Sequence, residues 1–74
     1  MNRSKLVEYE ITDENNNTLA IIRNTKDKLY NIKYTDLGIK SSSYNNIHVQ
    51  SLIYESLFEM KKKGFINMIW FKFH

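Results

Sequence analysis

Along residues 5–12 apolar and polar side chains alternate, with Val7, Tyr9 and Ile11 on one side and Glu8 and Glu10 on the other. A period of two describes a half-buried strand of an antiparallel sheet. Residues 13–17, Asp-Glu-Asn-Asn-Asn, are turn formers: Asn tolerates left-handed backbone and Asp makes Asx-turns. Residues 18–23 read as a second, β-branched strand and residues 24–27 as a second polar turn. Residues 28–35 alternate again, with Tyr30, Ile32 and Tyr34 opposite Asn31, Lys33 and Thr35. Three strands joined by two short turns predict a meander.

The period then changes. Residues 36–46 read as a loop, with Gly38 and a Ser/Asn cluster that ends in two N-cap candidates, Asn45 and Asn46. Val49, Leu52, Ile53, Leu57 and Met60 then recur at three- and four-residue spacing, one stripe of a helix. Lys61, Lys62 and Lys63 complement the negative end of its dipole, and Gly64 supplies a left-handed cap. Residues 65–74 read as a fourth strand. The pattern thus predicts one α+β domain over residues 1–74, a small two-layer β-β-β-α-β unit. Its sheet is mostly antiparallel, with one helix packed on one face. A helix before the last strand makes a crossover, which sets that strand parallel to the first or the third.

By parity, Phe65, Asn67, Ile69, Phe71 and Phe73 face the helix, and Ile66, Met68, Trp70, Lys72 and His74 face away. A strand apolar on both faces is normally covered on both. The helix carries a similar excess, because Ile47, Tyr54 and Phe58 lie on a second flank outside the main stripe. Leu37, Ile39 and Tyr44 in the loop are the residues available to cover that flank. The surplus apolar set, Ile66, Met68, Trp70, Tyr54 and Phe58, is the expected surface for a protein partner or a second copy of the chain.

Composition narrows the chemistry. With 42% hydrophobic and 14% aromatic residues in 74, the chain is globular and fits one core. It has no cysteine, and two histidines, His48 and His74, do not close a tetrahedral zinc site. Two glycines do not build a phosphate-binding loop. His48, Ser51 and Glu55 share a helical stripe, but that stripe lies opposite the apolar one, on a solvated face without an oxyanion hole. Glu8 and Glu10 share a strand face without a third cation ligand. The expectation is a non-enzymatic protein without cofactor or metal.

Charge supplies the alternative. The chain carries a net +3, and Lys61, Lys62, Lys63, Lys33 and Arg23, interleaved with tyrosines, would form a DNA- or RNA-binding surface on the sheet and helix end. Against this reading, capping alone explains the lysine triplet, and only two arginines occur. No apolar run reaches membrane-spanning length and no signal-peptide core follows the start, so the expected location is the cytoplasm. Abundant Asn, Ile, Lys and Tyr, all with A/T-rich codons, fit a low-GC genome such as that of a bacterium, phage or large DNA virus. The expectation is a small protein-binding module, for example a phage- or mobile-element-encoded modulator or inhibitor of a host protein, with homodimerisation compatible.

Overall fold

The computed structural model describes residues 5–41 and 45–72. Strand β1 (Glu8–Thr12) pairs antiparallel with β2 (Thr18–Asn24), and β2 with β3 (Tyr30–Tyr34), in the order β1-β2-β3. The expected meander is present. Its turns share one design: Asn16 donates its N–H to the Asp13 carbonyl and Lys28 donates to that of Thr25, each at 3.0 Å. Both closing residues take positive φ, 65° and 61°. Asn is suited to that region and Lys is not. In the first turn the Asp13 carboxylate accepts from the Asn15 and Asn17 N–H groups, both at 2.9 Å. Those bonds favour the charged form and hold Asp13 below its ordinary pKa, with the Asn17 bond the largest cause.

Register sets the two faces. Tyr9, Ile22 and Ile32 lie in one row and Ile11, Ala20 and Tyr34 in the next, so the expected apolar parities meet on one face. On the other face Glu8, Arg23 and Asn31 form one row and Glu10, Ile21 and Lys33 another. Ile11 pairs with Ala20 but Thr12 pairs with Thr18, which leaves Leu19 as a bulge. The extra residue breaks the alternation, and Leu19 and Ala20 are consecutively buried.

Residues 36–41 are not purely loop. Asp36–Lys40 form a short helix, α1, capped by the Thr35 hydroxyl, which accepts from the Gly38 N–H at 3.1 Å. Thr35 also donates that hydroxyl to the Thr18 carbonyl at 2.7 Å, tying the cap to β2. A Cβ on Gly38 would sit 2.3 Å from the Leu19 carbonyl oxygen, so close packing against the bulge demands glycine there. That requirement is tertiary, which is why local pattern reads the segment as loop.

Helix α2 (Ile47–Lys62) follows the sequence signals closely. Asn46 is the N-cap, its side chain accepting from the His48 and Val49 N–H groups. Val49, Ile53, Leu57 and Met60 are buried against the apolar face of the sheet, with Leu52 half-buried. Gly64 adopts φ 82°. The Phe65 N–H donates to Met60 and that of Gly64 to Lys61, the pair of bonds that closes a helix through a left-handed residue. The architecture is therefore α+β, a three-stranded antiparallel sheet with α2 across one face.

The closing segment departs from expectation. Residues 65–72 pair with neither β1 nor β3, and the sheet of the described residues has three strands. The segment lies in the helix layer, with Phe65, Ile69 and Phe71 packed on the core and Ile66 inside it. Without a ladder nothing enforces a two-residue pleat, so Phe65 and Ile66 both turn inward and the predicted parity fails at Ile66. Phe73, His74 and Tyr44, which the sequence reading also used, lie outside the described residues.

Candidate protein interface

The segment after α2 is held by the end of the sheet. Asn24 closes β2 on its core face, buried between chain start and chain end. Its Nδ2 donates to the carbonyls of Lys5 (2.7 Å) and Phe65 (3.1 Å), and its Oδ1 accepts from the Val7 N–H at 2.7 Å. One amide thus joins three segments. The Asn67 N–H then donates to the Lys28 carbonyl at 2.9 Å, which carries the segment past the β2–β3 turn.

Trp70 is fixed next. Its ring stacks on Tyr30 with centroids 3.8 Å apart and planes 18° from parallel, and its backbone N–H donates to the Tyr30 hydroxyl at 3.0 Å. Tyr30 is a buried platform of β3. Burial pushes its phenol above the ordinary value, partly offset by the hydrogen bonds from Trp70 and Phe71. Although pinned on one face, Trp70 remains 51% exposed, and Met68 is 56% exposed. Both expected contact residues are therefore at the surface. Ile66, grouped with them by parity, is 2% exposed and belongs to the core.

The second flank of α2 is open as well. Tyr54 is 41% and Phe58 58% exposed, with Ile47 also exposed. Leu37 and Ile39, the expected cover, are themselves exposed. Helix geometry orients this flank. Leu52, Glu55, Ser56 and Glu59 border a groove of about 360 Å³ against β1, whereas the Gln50 amide donates to the Tyr34 hydroxyl of β3 at 3.4 Å. Tyr54 and Phe58 follow Gln50 at i+4 and i+8, so they lie on the β3 side. α2 runs from the Tyr34 end of β3 towards the Asn24–Tyr30 end, which places Phe58 at the same end of the molecule as Trp70.

The basic residues are divided between the layers. Arg23 and Lys33 project from the outer sheet face, where Arg23 pairs with Glu8. Lys61, Lys62 and Lys63 are exposed at the end of α2, in the opposite layer. The five residues expected for nucleic acid do not share one face. On α2, the Ser51 hydroxyl donates to the Ile47 carbonyl at 3.0 Å, engaging its own helix. Among the described residues no group of three or more His, Asp or Glu could hold a metal ion, and no helix is long and apolar enough to cross a membrane.

Sequence reasoning missed Asn24 and Tyr30 as the supports of the site. A signal existed for Asn24: continuing the β2 alternation from Ala20 and Ile22 puts it on the core face, where a polar residue needs partners. The chain matches no protein-family model, no curated protein and no solved structure.

Proposed function

We propose that the chain is a non-enzymatic protein-binding module whose contact surface comprises Trp70, Met68, Phe58 and Tyr54. The observation that carries this reading is Trp70. It is locked by a stacking contact and a backbone hydrogen bond, yet half its surface faces water. An aromatic ring already immobilised loses little conformational freedom on binding, and Trp, Met and Phe are enriched at interface cores. The module acts stoichiometrically, occluding or scaffolding its partner, as a phage- or mobile-element-encoded modulator of a host protein would.

Capture from a lysate of the source organism, on immobilised wild-type chain and on Phe58→Ser and Met68→Ser, tests the reading. The expected result is a partner retained by the wild type and lost from both variants. Equal retention on all three would remove this surface from function. The nucleic-acid reading gains nothing from the division of its five cations between two layers.

A further inference from the structure

We infer that the partner segment is acidic, presenting carboxylates around apolar anchors that meet Phe58, Met68 and Trp70. This rests on the protein-binding reading and adds the chemistry of the partner. The observation is a sorting of charge across the sheet. On the β1 side, Glu10, Glu55 and Glu59 line the groove between β1 and α2. Glu8, on the same strand, is paired with Arg23 on the outer sheet face, and Asp13 and Glu14 border the next hollow, at the start of α2. Glu10, Asp13, Glu14, Glu55 and Glu59 are five of the eight carboxylates in the chain.

The β3 side is the reverse. Lys61 lies at i+7 from Tyr54 and i+3 from Phe58, on the same flank of α2, and is exposed. Exposed Lys62 and Lys63 end the helix, and exposed Lys72 follows Trp70 by two residues. Lys28 stands at the turn where the closing segment is anchored, beside exposed Lys26 and Asp27, so the turn carries a net positive charge. The apolar patch therefore has a cationic rim, and the acidic groove lies across the helix from it. A basic partner would meet like charge at the rim, whereas an acidic one is attracted there and repelled from the β1 side. That asymmetry also fixes the orientation of docking. A second copy offering its acidic β1 side would make a head-to-tail contact, so self-association would show as rings or open growth beyond a two-fold dimer.

A random-sequence peptide library selected on the full chain tests the inference. Enriched peptides should carry several Asp or Glu around aromatic or aliphatic residues. Their affinity should fall at least about tenfold on Lys61→Glu combined with Lys72→Glu, and on Phe58→Ser. Circular-dichroism melting of each variant should match the wild type. Enrichment of neutral or basic peptides that still require Phe58 would overturn the acidic partner while leaving protein binding intact. No Phe58-dependent enrichment would overturn both. Binding to phosphatidylcholine–phosphatidylserine vesicles without peptide enrichment would reassign the surface to membranes, and concentration-dependent growth in sedimentation would reassign it to self-assembly.

Discussion

At the scale of single residues, Asn24 is the junction on which the closing segment depends. Its amide meets Lys5, Val7 and Phe65, so truncation leaves two carbonyls and an N–H without their partner in a partly buried place. Asn24→Ala is expected to cost about 3 kcal/mol in urea unfolding, against less than about 0.5 kcal/mol for exposed Asn31→Ala. Equal effects would mean that the amide is not a junction. Tyr30 adds a pH dependence. Its folded pKa is raised above 10.0 because burial disfavours the phenolate. The unfolded chain therefore ionises first, so this contribution to stability is complete below about pH 10 and is lost as pH rises through the folded value. Tyr34 is shifted in the same direction, also by burial. Unfolding measured between about pH 9 and about pH 11 should show a fall in wild-type stability that is smaller in Tyr30→Phe.

Among the elements, α1 exists because of what it touches. Alanine at position 38 would gain roughly 1 kcal/mol of helix propensity, but its Cβ would lie 2.3 Å from the Leu19 carbonyl oxygen. Overpacking of this kind costs about 1–3 kcal/mol, so the clash should win and Gly38→Ala should lower the melting temperature. A higher melting temperature would show that α1 does not press on the bulge. The same distinction explains what the sequence made legible. Strand parity, the turn at Asp13, the Asn46 cap, the α2 stripe and the Gly64 stop are local, set by side-chain period and capping chemistry. The bulge at Leu19, the helix at Asp36–Lys40 and the path after Gly64 are set by contacts between distant segments. Residues 65–72 have a β-prone composition, but strand formation needs a ladder as well as propensity. Asn24, Lys28 and Tyr30 instead draw this segment into the helix layer, which moves Ile66 from the expected surface to the core.

For the molecule as a whole, the consequence is two unlike sides around one helix. The β1 side offers an acidic groove, and the β3 side offers exposed Tyr54, Phe58, Met68 and Trp70 among lysines. Four of the five contact residues expected from sequence, Tyr54, Phe58, Met68 and Trp70, are more than 40% exposed; only Ile66 is withdrawn. Sequence showed the apolar surplus but not its support, because stacking on Tyr30 joins residues 40 positions apart. Trp70 is the sole tryptophan of the chain, so its fluorescence reports on the surface directly. The decisive measurement is acrylamide quenching of that fluorescence in the free chain and with the captured partner bound. The account predicts ready quenching in the free chain and strong protection in the complex; quenching unchanged by the partner would contradict it.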